Sequence, residues 1–189
     1  MKTRNIIFLI ALLVILDQVV KLIIYNSFMD VDCEIIPKVL EFKPVFNSKY
    51  SWVNDSIHKK SGMDAGLIFH IILFALAWFM IYIIYRYLKK LNFANKIVDM
   101  GIVFFTAAVI CAYLGILVWE KGILDFLHFE FLGYVCDLKD IYINCFVILF
   151  CINATKCNLE FKGLANYMKG LFRKWIIQRT NIIIMENEK

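Results

Sequence analysis

Four apolar stretches punctuate the chain, at about 5–25, 65–87, 97–119 and 138–155, with polar residues gathered between them and at a few positions inside them. The first three reach the roughly 20 residues that a helix needs to cross a bilayer. The first is too long for a signal-peptide core, lacks a small-x-small cleavage site and holds Asp17 at its middle, so it reads as a retained span. The fourth is short. With Asp140 in its first turn it fits a helix that enters the bilayer through a polar collar or crosses a thinned one. The pattern predicts an all-α membrane protein with four transmembrane helices. The connections 26–64 and 120–137 read as outer loops. Within the first, Val39-Leu40-Glu41-Phe42-Lys43-Pro44-Val45-Phe46 partly alternates apolar and polar positions, which predicts a short strand or hairpin at the membrane surface. A connector of that length is more often functional than passive.

Charge placement orients the spans. Lys2 and Arg4 precede the first, and Arg86, Lys89, Lys90 and Lys96 surround the link between the second and third. The segment 156–189 carries Lys156, Lys162, Lys169, Arg173, Lys174, Arg179 and Lys189 against three glutamates, whereas loop 26–64 balances five lysines with six acids. Lys and Arg favour the cytoplasmic side, so both ends are expected there and both longer loops outside. In the tail, residues from about 161 to 184 mix basic with large apolar side chains, predicting an amphipathic helix along the inner leaflet.

Composition agrees and removes some alternatives. Of 189 residues 61% are hydrophobic, more than a soluble domain of this size carries. The net charge of +5 does not indicate nucleic acid, because the basic residues flank apolar segments. Six cysteines form no C-x-x-C pair and have no histidine cluster beside them, so neither a zinc site nor another cofactor is expected. Cys111, Cys145 and Cys151 read as apolar filler. Cys33 and Cys136 both fall outside the membrane, which leaves a disulfide between them open. No repeat, low-complexity run or Gly-rich phosphate loop is present.

The candidate chemistry lies in the acids. Asp17 and Lys21 are four apart on one helix face, with Gln18 beside them, and a structural ion pair would account for them. At a rise of about 1.5 Å per residue, Asp17 stands past the midplane and Lys21 nearer the outer surface. Asp125 follows the third span and Asp140 begins the fourth at the same level. Carboxylates at that depth are costly, so they mark function. Two held close share one proton and can activate water for hydrolysis, one taking a proton from water and the other donating to a carbonyl oxygen. His70 reads as a packed or bundle-facing residue. His128, beside Asp125, reads as a group that tunes the site or meets lipid headgroups. Ser48 and Ser51 lie in the outer loop without a Ser–His–Asp pattern.

Together these residues resemble the lipoprotein signal peptidases (signal peptidase II), a family of four-span bacterial aspartic proteases. The family's Asp-Gln-x-x-Lys is matched by Asp17-Gln18-Val19-Val20-Lys21. Its Val-Val-Asp-Phe-Ile, often followed by His-Phe, corresponds to Ile123-Leu124-Asp125-Phe126-Leu127-His128-Phe129. Its Phe-Asn-x-Ala-Asp corresponds to Cys136-Asp137-Leu138-Lys139-Asp140, and an outer-loop asparagine to Asn47. The likeness covers roughly 5–155. It departs where the family's Gly-Asn-x-x-Asp-Arg is replaced by residues 112–121, in which Glu120 and Lys121 offer the comparable charges. It departs again where Asn-x-Gly-Ala-Ala-Phe becomes Asn47-Ser48-Lys49-Tyr50-Ser51-Trp52, and where Asp137 replaces the usual Asn.

The resemblance implies catalytic Asp125 and Asp140, supported by Asp17, Gln18, Lys21, Asn47 and Asp137. It implies a bacterial inner-membrane enzyme with its active site at the outer face and a small β-structured cradle above that site. The substrate would be a lipid-modified prolipoprotein, met among membrane lipids and cut just before a diacylglycerol-modified cysteine. The changed signature suggests the alternative of an inactive four-span scaffold that binds lipoproteins or a membrane partner. A transporter lined by Asp17 and Lys21 fits less well, since no span is broken by Gly or Pro.

Overall fold

The computed structural model describes residues 1–91, 96–157, 163–174 and 177. Long helices lie over the four apolar stretches: α1 (Thr3–Ser27), α3 (Gly66–Lys90), α4 (Lys96–Leu117) and α5 (Leu138–Cys157). Among the described helices α1, α3 and α4 are long and apolar enough to cross a membrane. Residues 163–174 and 177 are also helical, and the rest of the expected tail helix lies outside the described residues.

Burial along α1 reverses the soluble pattern. Its enclosed side chains are Asp17, Lys21 and Ile24, while Phe8, Leu12, Ile15, Leu16 and Val19 face outward. An apolar surround makes this order favourable, since polar groups then gain most from facing other protein. Helix α4 is the centre of the bundle, packed by α1, α3 and α5. Along its middle several inner positions are small (Ala107, Ala108, Cys111, Ala112), which lets neighbouring backbones approach closely. Tyr142 of α5 closes this core among Ile10, Leu13, Val14 and Phe104, and its hydroxyl donates to the Leu13 carbonyl at 3.1 Å. At the far end from the sheet, Asp99 of α4 is fully buried and takes bonds from Tyr85 and Lys89 of α3, both 3.0 Å.

The connections are more ordered than loops. Strands β1 (Cys33–Ile36), β2 (Leu40–Asn47), β3 (Ile123–Phe129) and β4 (Tyr134–Cys136) form one antiparallel sheet in that order. The hairpin signal in the first connection thus corresponds to β1 and β2. The segment 120–137, read as a loop, instead supplies β3 and β4. Val45 pairs with Asp125 and Asn47 with Ile123, and the β2–β3 ladder is interrupted between Phe42 and Val45. Pro44 falls in that interruption, where its missing N–H costs no ladder bond. Leu124 and Phe126 fill the space beneath the sheet with Ile24, Phe42, Phe46 and Trp119.

A further helix, α2 (Trp52–Ser61), lies in the first connection. Ser51 caps it by accepting from the Asn54 N–H at 3.1 Å, and Gly62 ends it with φ +74°. The Asn54 amide donates to the Lys49 carbonyl and to Asp64, both 2.9 Å, and accepts from the Ala65 N–H at 3.0 Å, tying both ends of this excursion together. Cys33 and Cys136 are free thiols. They sit on opposite edge strands, separated by three strand spacings of about 4.8 Å each, which a disulfide cannot span.

Candidate active site

Three elements converge where the sheet meets the bundle. Helix α1 brings Asp17 and Lys21, strand β3 brings Asp125, and the start of α5 brings Asp137, Lys139 and Asp140. Period-two alternation on β3 turns Asp125 away from Leu124 and Phe126, so the strand seals the apolar layer with one face and presents a carboxylate with the other. Gly122, just before β3, has φ +104°, and a Cβ there would lie 2.5 Å from the Asn47 carbonyl oxygen. That close approach sets the end of β2 against the start of β3. The Asn47 side chain consequently reaches Asp125, donating to Oδ2 at 3.4 Å while its own Oδ1 accepts from the Lys49 N–H at 3.0 Å.

Carboxylate oxygens of Asp125, Asp137 and Asp140 lie within 4.8 Å of one another. The Lys139 ammonium stands among them, 3.1 Å from Asp125 Oδ1, 2.9 Å from Asp137 Oδ1 and 3.1 Å from Asp140 Oδ2. Behind this group Lys21 Nζ lies 2.5 Å from Asp137 Oδ2 and 3.1 Å from Asp17 Oδ2. Gln18 donates to Asp17 at 2.8 Å and accepts from the Trp119 indole at 3.4 Å, bracing the inner pair without touching the outer acids. The backbone N–H of Asp137 donates to Asp140 Oδ2 at 3.1 Å, and that of Asp140 to Asp137 Oδ1 at 3.4 Å. These last two bonds close the first turn of α5 as a side-chain cap would.

The acids differ in exposure. Asp137 is fully enclosed and Asp125 nearly so, whereas the Asp140 side chain keeps 33% of its surface. Burial pushes the Asp125 carboxyl up to about 6, and the charges of Asp137 and Asp140 add to this while Lys139 opposes it. Burial acts the same way on Asp137, but Lys139 and Lys21 outweigh it and hold that carboxyl below the usual range. Burial and the same carboxylates raise the Cys136 thiol to about 12, so it stays protonated and inert.

A cavity of about 360 Å³ opens beside the acids. Asp125, Lys139, Asp140 and Asn47 form its polar end, and Leu73, Phe74, Ala77, Phe105 and Val109 its apolar walls from α3 and α4. Asp17, Lys21 and Asp137 are outside its lining.

Among the residues singled out from sequence, Asp17, Gln18, Lys21, Asn47, Asp125, Asp137 and Asp140 therefore form one connected network. Others do not join it. His128 pairs across the sheet with Glu41 at 2.6 Å rather than with Asp125. Glu120 and Lys121 are exposed, with Lys121 over the Phe46 ring. Buried His70 bonds the Ser51 hydroxyl at 3.0 Å and the Gly66 carbonyl at 2.7 Å, fastening α2 to α3 at the cavity rim. Lys139 is the residue that sequence reading passed over. A lysine flanked by acids in the first turn of an apolar helix was the available signal.

Two solved structures share the fold. Both are described as bacterial membrane enzymes determined by the in meso method, at 1.9 Å and 2.3 Å. The first has a TM-score of 0.61 and 21% identity, covering 82% of this chain and 96% of that one. The second has a TM-score of 0.59 and 22% identity, covering 85% and 94%. No curated protein matches the chain. The family profile described as signal peptidase (SPase) II matches residues 9–156, a stretch running from α1 through the acid cluster to the end of α5, and the chain therefore belongs to the signal peptidase II family, the membrane aspartyl proteases of lipoprotein processing.

Proposed function

We propose that this protein is an active membrane aspartic endopeptidase that removes signal peptides from lipid-modified prolipoproteins, with Asp125 and Asp140 as its catalytic pair. One observation carries the assignment. Of the three clustered acids, Asp125 and Asp140 line the cavity, while Asp137 lies behind them against Lys21. A gap of at most 4.8 Å suits a single water held between two carboxyl groups.

A general acid–base reaction fits this geometry. Lys139 occupies Asp125 Oδ1 and Asp140 Oδ2, so water and substrate would meet Asp140 Oδ1 and the remaining lone pair of Asp125 Oδ2, whose other bond comes from Asn47. The pair shares one proton, which the enclosed Asp125 holds readily. The ionised carboxylate takes a proton from water as its oxygen attacks the scissile carbonyl. The protonated carboxyl then donates to the carbonyl oxygen, giving a neutral gem-diol. Collapse breaks the C–N bond and passes a proton to the departing amine, restoring the pair with one proton. No covalent intermediate is needed.

The apolar cavity walls on α3 and α4 suit a substrate that arrives from the lipid with its own apolar segment. In this reading α5 is the fourth span, both termini are cytoplasmic, and the sheet lies at the outer face of the bacterial inner membrane. The test uses a lipid-modified precursor, followed in a strain lacking its own enzyme and with purified protein in micelles. Wild type should cleave it, and Asp125→Asn and Asp140→Asn should each lose at least about 100-fold. Retained processing by either variant would remove the pair from catalysis. Precursor binding without cleavage by wild type would leave only a scaffold.

A further inference from the structure

Three carboxylates this close would ordinarily call for a bound cation, and here the cation belongs to the chain. Lys139 Nζ reaches all three at 2.9–3.1 Å with its side chain only 9% exposed. Its three N–H donors match three acceptors, so the ammonium is fully used in a place where an unpaired charge would be prohibitive. Asp137 is held from both sides, by Lys139 through Oδ1 and by Lys21 through Oδ2.

The charges explain why both residues are needed. The inner group comprises four carboxylates (Asp17, Asp125, Asp137, Asp140) and two ammonium groups (Lys21, Lys139). One shared proton on the outer pair leaves a single net negative charge. Removing Asp137 and Lys139 together leaves that balance unchanged, whereas removing either alone shifts it by one unit beside Asp125 and Asp140.

We infer that Lys139 is a positioning residue of the aspartic pair, bridging Asp125 and Asp140 and offsetting Asp137, so that Asp137 and Lys139 together set the pH at which the pair gives up its shared proton. This rests on the catalytic reading of Asp125 and Asp140. Lys139 lowers the proton affinity of the pair and Asp137 raises it, so their effects oppose one another. Other titratable groups stand nearby: Asp17 and Lys21 on α1, Cys111 on α4, Cys136 and Tyr134 on β4, and Tyr50 at the cavity rim. The variants leave them in place.

The experiment titrates the carboxylic-acid C=O infrared band of the full chain in lipid, assigned with Asp125→Asn and Asp140→Asn. It needs no turnover. Lys139→Met should raise the midpoint by about 1–3 pH units, and Asp137→Asn should lower it by a similar amount. The double variant Asp137→Asn/Lys139→Met should return close to wild type, and Lys139→Arg should leave the midpoint in place. The pH–rate profile of precursor cleavage should move with the band, which a merely structural role would not cause. An unmoved midpoint in Lys139→Met, single variants shifting in the same direction, or a double variant that follows either single one would each overturn the inference. If Lys139→Met does not fold, the double variant decides: a folded protein with the wild-type midpoint supports the inference, and any other result refutes it. The two proposals fail separately. Full turnover by Asp125→Asn with midpoints shifting as stated would end the catalytic reading and spare the proton balance. Two inactive aspartate variants with immobile midpoints would do the reverse.

Discussion

Lys21 and Asp137 form a fully enclosed ion pair, Nζ to Oδ2 2.5 Å, that joins the first long helix to the start of the last one. The sequence separates them by more than a hundred positions. In an apolar surround such charges are tolerable only when paired, so this pair helps set the distance between α1 and α5 at the level of the acid cluster, with Lys139 as a second cation on Asp137. Asp17, four residues before Lys21, completes the bridge at 3.1 Å.

Removing Lys21, the cation common to Asp17 and Asp137, should therefore be severe. Lys21→Met leaves Asp17 and Asp137 without their common cation, and breaking a buried pair this way costs about 3–5 kcal/mol. Unfolding in detergent micelles, followed by helical circular dichroism, measures it. Adding Asp137→Asn to Lys21→Met should recover part of the loss, because the orphaned charge is removed.

Asp125 should leave its mark on stability between about pH 4 and 6. Its carboxyl lies near 6 in the folded protein against 3.8 ordinarily, so over this window the folded state binds the proton more tightly. Stability falls as pH rises through the window and levels off above about 6. The effect is on the order of 2–3 kcal/mol at most. Thermal midpoints of wild type should drop relative to Asp125→Asn as pH climbs, with no further divergence above about 6. Parallel curves for the two proteins would contradict the perturbed carboxyl.

The helices were legible because runs of apolar residues long enough for a bilayer have few other uses, and Asp17 and Lys21 showed which face of α1 turns inward. Strand β3 was not. Its Ile123-Leu124-Asp125-Phe126 is buried on both faces, so the alternation that betrays a strand is missing. Its partner β2 lies some eighty residues earlier. Helix α2 carried its cap signals in Ser51 and Gly62, but they sat in a stretch read as a loop. Lys139 was visible only as a spacer between two acids, since its significance depends on Asp125 arriving from another element.

Gly122 is the residue on which the approach of β2 to β3 depends. Its φ of +104° disfavours any side chain, and a Cβ would meet the Asn47 carbonyl carbon and Ser48 Cα at 2.8 Å. Gly122→Ala should cost about 1–3 kcal/mol in stability. It should also push Asn47 away from Asp125, so precursor cleavage should fall by more than the lost folded fraction explains. Activity per folded molecule, normalised by circular dichroism, separates the two effects.

The cavity offers a test that leaves the acids untouched. Val109 lines its apolar wall from α4 and is only partly buried, so a larger side chain there can enter the cavity without rebuilding the bundle core. A phenyl ring takes a sizeable share of about 360 Å³. Val109→Phe should leave the folding of the protein unchanged, because Asp125, Lys139 and Asp140 keep their partners. Cleavage of the precursor should nevertheless lose at least about tenfold in kcat/KM, mostly through KM, as expected when an apolar pocket is reshaped by more than one methylene. A matching Val109→Ala should bind the precursor at least as well as wild type. If Val109→Phe cleaves normally, the substrate reaches the acids by another route and the cavity is not its binding site.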